Sequence, residues 1–67
     1  PILTLTSDYG EGSPHIAQLK GAILSRASLA TVVDVTHSIC KFDPLQAVFQ
    51  LKQVVHEFPD NTVHMLC

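Results

Sequence analysis

Asp8 stands where a short apolar segment, Ile2 to Ser7, gives way to the loop Asp8-Tyr9-Gly10-Glu11-Gly12. An ionised carboxylate offers two oxygens that only accept hydrogen bonds, which suits a vicinal diol such as that of a ribose. The same residue type in a loop also bonds locally, so a cap on the turn or on the following helix is the competing reading. Phe42, directly before Asp43-Pro44, either presents its ring to a purine or staples the chain onto the helix that follows. Gly10-Glu11-Gly12 invites comparison with a dinucleotide-binding loop. His15 occupies the third glycine position of that fingerprint, Glu11 would repel a pyrophosphate, and Asp34 falls inside a strand, so ordinary turn glycines are expected.

His37 with Cys40, and His64 with Cys67, share an H-x-x-C spacing that zinc sites also use. In a strand, residues three apart point to opposite faces, so His64 and Cys67 cannot share one ion. His37 and Cys40 supply two ligands, too few for a structural site, so no metal is expected and these side chains read as satisfied or partly buried. Lys20 and Lys52 fall on helices away from the strand tips and read as solvated. The chain contains no G-x-S-x-G elbow, no P-loop, and no cysteine with a credible histidine partner.

The elements that must position these residues alternate strand, helix, strand, helix, strand. Ile2 to Ser7 is a first strand ending near Asp8. Ser13-Pro14 opens a helix, since Ser accepts from the free first-turn amides and Pro at the first position loses no needed donor. Ile16, Leu19, Ile23 and Leu24 form its apolar stripe, and Gly21 within it predicts close backbone approach to a strand. Ala30 to Val35 is β-branched and predicts the second strand. Asp43-Pro44 repeats the helix-start signal, the stripe Leu45, Val48, Phe49 and Val55 carries that helix to about Glu57, and Phe58-Pro59-Asp60-Asn61 breaks it. Thr62 to Cys67 is the third strand.

This order predicts an α/β fold, a β-α-β-α-β segment with parallel strands joined by right-handed crossovers. The carboxyl ends of the strands then share one edge, where open α/β sheets bind ligands. With 67 residues, the chain buries only ~60% of its unfolded surface, and two helices cannot cover three strands on both faces. Residues 1–67 are therefore expected to be the amino-terminal part of a larger three-layer α/β domain.

Composition narrows the partners. Lys plus Arg number four against six Asp plus Glu, a formal charge of -2, so nucleic acid and anionic membranes are not favoured. A 46% hydrophobic and 15% charged chain folds rather than staying disordered. No apolar run reaches the ~20 residues of a membrane span and no signal-peptide pattern opens the chain, so a cytoplasmic location with reduced Cys40 and Cys67 is expected.

Five blocks carry more than spacing does: Leu5 to Gly10, Ala17 to Ile23, Val32 to Ile39, Phe42-Asp43, and Phe58 to His64. Together, in order, they resemble the start of the S-adenosylmethionine hydroxide adenosyltransferases, a family related to fluorinating and chlorinating enzymes that use the same substrate. The resemblance implies attack of water or hydroxide at the ribose C5′ carbon of S-adenosylmethionine, giving adenosine and methionine, with no cofactor beyond that substrate. It implies that Asp8 holds the ribose diol, that Phe42 lines the pocket, and that Ser13 and His15 lie near the amino-acid end of the substrate. Lys20-Gly21 and Asp34 to His37 match framework positions. The family's water-activating Asp, Arg and His follow its third strand, so no catalytic residue is expected within this chain and the segment alone is expected to be inactive. The family builds its site between neighbours in a trimer, which implies a homotrimer for the complete protein. Phe42, where halogenating relatives often carry Trp, leans toward hydrolysis over a halide-using reaction. The alternative is a non-catalytic nucleoside-binding or interaction fragment.

Overall fold

The computed structural model describes residues 1–41 and 43–67. Its elements run β1 (Ile2–Thr6), α1 (Pro14–Arg26), β2 (Thr31–Thr36), α2 (Pro44–Lys52), a 3-10 turn at Val55–Glu57, and β3 (Val63–Leu66). The strands form one sheet in the order β2-β1-β3, with both pairings parallel. The alternation and strand direction match the expected α/β fold. The observed strands begin one residue later than read at β2 and β3, and β1 stops at Thr6.

Both helices start as their capping signals predict. Ser13 accepts from the His15 amide ahead of Pro14, and Asp43 accepts from the Gln46 amide ahead of Pro44. The second helix does not run unbroken to Glu57. It closes at Lys52 and resumes as the 3-10 turn, and Thr62 N–H then bonds Pro59 C=O at 3.0 Å in the Pro-Asp-Asn break.

Register assigns the faces, because paired residues of parallel strands share a side. Leu3 and Leu5 share one face with Val32, Asp34, Val63 and Met65. Thr4 and Thr6 share the other with Val33, His64 and Leu66. Between Leu5 and Thr6 the β1–β2 register shifts, so that Asp34 faces Leu5 but Thr36 faces Thr6, leaving Val35 as an extra residue on β2. Stepping from β1 to β2 on one side, then back across β1 to β3, requires right-handed crossovers to place α1 and α2 on opposite faces. Lys20 of α1 accordingly reaches Asp34 on the first face, and Ala47 and Val48 of α2 share a cleft with Thr6 and Leu66 of the second.

Among the described residues the buried apolar side chains are Leu5 and Ile39, and the rest of the interior is polar: Thr4, Thr6, Ser7 and His37. Neither helix contains a buried residue. Leu45 at 81% and Phe49 at 64% exposure leave the α2 stripe largely uncovered, and Leu24 lies outside the packed part of the α1 stripe. Three strands and two helices do not supply enough surface to enclose these side chains, as the chain length implies.

Two framework readings are corrected. Gly21 is exposed, and a Cβ added there meets nothing within 4 Å, so no strand packs against it. Lys20 is not simply solvated: its Nζ donates to Asp34 at 2.7 Å, because α1 crosses the face on which Asp34 projects.

Candidate functional site

The carboxyl ends of β1 and β3 open into a cleft of about 290 Å³, lined by Thr6, Ser7, Asp8, Ile39, Cys40, Asp43, Pro44, Ala47, Val48, Leu66 and Cys67. Its floor is the end of the central strand, and one wall is the first turn of α2. Its position follows from topology. The chain leaves β1 toward β2 on one side and returns to β3 on the other, and the crevice where connections diverge is where open α/β sheets take ligands. A volume of this size stands at the lower end of the ~300–1,000 Å³ common for small-molecule sites.

Asp8 lies in this wall, half-buried at the tip of β1. Cys67 lies near it. Burial pushes the Cys67 thiol up from its ordinary range, and the negative charge of Asp8 adds to that shift. Thr6, on the same wall, has its hydroxyl oxygen buried without a hydrogen-bond partner. Both cysteines are free and exposed rather than partly buried, because the cleft they line is open.

The loop carrying Asp8 is braced against the end of β2. Ser7 N–H donates to Thr36 C=O at 2.9 Å, and Gly10 N–H to His37 C=O at 2.7 Å. Glu11 accepts from the His37 amide at 2.6 Å and from the Ser38 hydroxyl at 3.1 Å. Gly10 and Gly12 have φ of 92° and 83°, the left-handed region glycine enters without strain, which makes them turn glycines as expected.

Beneath the loop lies a polar chain, buried at Ser7 and His37 and open to solvent at Asp34 and Lys20, that the spacing of residues does not reveal. The Ser7 hydroxyl meets His37 Nδ1 at 2.5 Å, His37 Nε2 meets Asp34 Oδ1 at 2.8 Å, and Lys20 Nζ meets Asp34 Oδ2 at 2.7 Å. Burial pushes the Asp34 carboxyl up, but the hydrogen bonds from Lys20 and His37 outweigh it and hold the group below the usual carboxylate range. Lys20 and Asp34 are 14 residues apart and Ser7 and His37 are 30 apart, so only the fold joins the ends of this chain to its local Asp34–His37 pair.

The other candidates fall elsewhere. Ser13 caps α1, and His15 lines a separate hollow with Tyr9, Gln18 and Leu19, its ring 6.0 Å from that of Tyr9. Neither side chain lines the cleft that holds Asp8. Phe42 lies outside the described residues. Among the described residues no three His, Cys, Asp or Glu side chains are grouped to hold a metal ion, and His64 instead bonds Thr4 Oγ1 at 2.7 Å. No helix among the described residues is long and apolar enough to cross a membrane.

The parallel sheet, its two crossing helices and the crevice at the strand ends define part of an α/β domain. Residues 3–67 match the family model described as SAM hydroxide adenosyltransferase N-terminal domain, and the chain belongs to that family. Similar curated proteins include fluorinases from Actinoplanes sp. (strain N902-109), Actinopolyspora mzabensis and Nocardia brasiliensis (strain ATCC 700358 / HUJEG-1), which are 35%, 33% and 32% identical over 63 residues. The match covers 94% of this chain and 21% of each relative, so the chain spans about a fifth of the length of the curated relatives it matches.

Proposed function

We propose that this chain supplies the ribose-holding part of an S-adenosylmethionine-consuming enzyme, and that the complete protein hydrolyses S-adenosylmethionine to adenosine and methionine. The observation that carries this reading is the place of Asp8, at the tip of the central strand and in the wall of the cleft at the topological switch point. Membership of the adenosyltransferase family supports the substrate class.

Asp8 accepts both hydroxyls of the ribose, and the buried Thr6 hydroxyl offers a further polar contact on the same wall. The apolar remainder of the wall, Ile39, Pro44, Ala47, Val48 and Leu66, excludes water around the sugar and base. Water or hydroxide attacks C5′ in line as the C–S bond breaks, and the electron pair of that bond leaves with methionine. The sulfonium departs as a neutral thioether, so no general acid is required, and holding the nucleophile opposite the C–S bond is the main task. The groups that activate water are assigned to residues following β3, and the complete protein to a homotrimer with no cofactor other than its substrate.

A second reading, transfer of fluoride in place of hydroxide, rests on the relatives named fluorinase. Incubating the protein from its complete reading frame with S-adenosylmethionine, with and without fluoride, separates the two. Adenosine in both arms supports hydrolysis, a 5′-fluorinated nucleoside only with fluoride supports the second reading, and no product from folded protein refutes both. Asp8→Ala is expected to raise KM on the order of a hundredfold with little change in fold, since two hydrogen bonds to a half-buried charged acceptor are lost at ~1.5 kcal/mol each, the bottom of their usual range. Unchanged kinetics removes Asp8 from the site.

A further inference from the structure

The polar chain Lys20–Asp34–His37–Ser7, solvent-facing at Lys20 and Asp34 and buried at His37 and Ser7, ends on the residue that precedes Asp8. An ionised Asp34 can only accept, so in the neutral imidazole the His37 proton sits on Nε2 and Nδ1 accepts from the Ser7 hydroxyl. The Ser7 oxygen in turn accepts from the Tyr9 amide at 3.3 Å. One hydroxyl therefore closes a turn across Asp8, and His37, 1% exposed, fixes the direction in which that hydroxyl points. On the far side, Lys20 and His37 take different oxygens of Asp34, which locks the carboxylate that orients the imidazole.

We propose that Ser7, His37, Asp34 and Lys20 form a positioning relay that sets the orientation of Asp8 and thereby the affinity of the cleft for a ribose-bearing ligand. The ligand part of this inference rests on the ribose reading of Asp8; the positioning part does not. His37 acts through Ser7 and need not touch the ligand.

Amide hydrogen exchange on the protein without ligand tests the positioning, and adenosine titration by calorimetry tests its consequence. His37→Asn keeps an amide group near the Nδ1 position, within reach of Ser7, whereas His37→Gln places it near Nε2, facing Asp34. Ser7→Ala and His37→Gln should speed exchange at the Tyr9 amide about tenfold and weaken adenosine binding about tenfold, the scale of one lost hydrogen bond, with strand amides unchanged. His37→Asn should lie closer to wild type in both measurements despite a comparable loss of thermal stability. Equal effects of the two His37 variants, or Ser7→Ala with wild-type exchange at Tyr9, overturn the relay. Should Ser7→Ala fail to fold, Asp34→Asn retains a neutral acceptor for Nε2, and a smaller, about threefold change in the same direction is expected; no change overturns the relay. If the exchange pattern holds but wild-type protein takes up no adenosine, the ribose reading fails and the relay stands.

Discussion

Removing the Glu11 carboxylate should loosen the brace between the two loops at the strand ends. Glu11 accepts from the half-shielded His37 amide at 2.6 Å and from the exposed Ser38 hydroxyl at 3.1 Å. Hydrogen bonds to a charged acceptor contribute ~1.5–3 kcal/mol when shielded. The Glu11 side chain is exposed, so the His37 bond belongs at the bottom of that range and the Ser38 bond well below it. Glu11→Ala is therefore expected to cost about 2 kcal/mol, a large share of the ~3–10 kcal/mol that 67 residues sustain. For a domain of this size each kcal/mol moves the midpoint by ~4–8 °C, so thermal melting followed by circular dichroism should show a fall of about 8–16 °C. Glu11→Gln keeps an acceptor without its charge and should lose roughly half as much. A Glu11→Ala midpoint within ~2 °C of wild type, or a Gln variant as unstable as Ala, would refute the reasoning.

Three further outcomes follow from single features. Gly21→Ala, at an exposed position within α1 where a Cβ meets nothing, should raise stability in denaturant titration by about 0.8–1 kcal/mol. Asp34 is held below its ordinary range in the folded chain, so its contribution is present at neutral pH and lost as pH falls below about 4; Asp34→Asn should flatten that part of the stability profile measured by urea unfolding. Asp8 raises the Cys67 thiol, so Asp8→Asn should speed alkylation of Cys67 by iodoacetamide roughly threefold near pH 8, read by peptide mass spectrometry.

What the sequence discloses divides by range. Ser13-Pro14 and Asp43-Pro44 act within one helical turn, and both caps are found where those pairs stand. Alternation of short β-branched runs with apolar stripes carries strand direction, and with it the shared edge on which Asp8 sits. The relay escapes such reading because its parity depends on a register shift between β1 and β2, which no local pattern announces. Asp34 looks like a lone charge in an apolar strand; a Lys one helical crossing earlier was the available signal for a partner on that face. Gly21 misleads for the opposite reason: its residue type alone suggests a close approach, and here the helix simply tolerates it. Leu45 and Phe49 mark an apolar stripe correctly, but periodicity does not say whether anything covers it.

The additional residue in β2 has a consequence for how this segment tolerates insertion and deletion. Because Val35 has no counterpart on the neighbouring strand, Thr36 meets Thr6 and His37 arrives beside Ser7. Deleting it would let Asp34, Thr36 and His37 follow Leu5, Thr6 and Ser7 one for one, so the imidazole would stay level with Ser7 while the local kink is lost. Loss of a residue at this point is thus a length change the two strands can absorb with the hydroxyl and its ring still side by side, and side-chain replacements at position 35 likewise leave the phase of the two strands as it is.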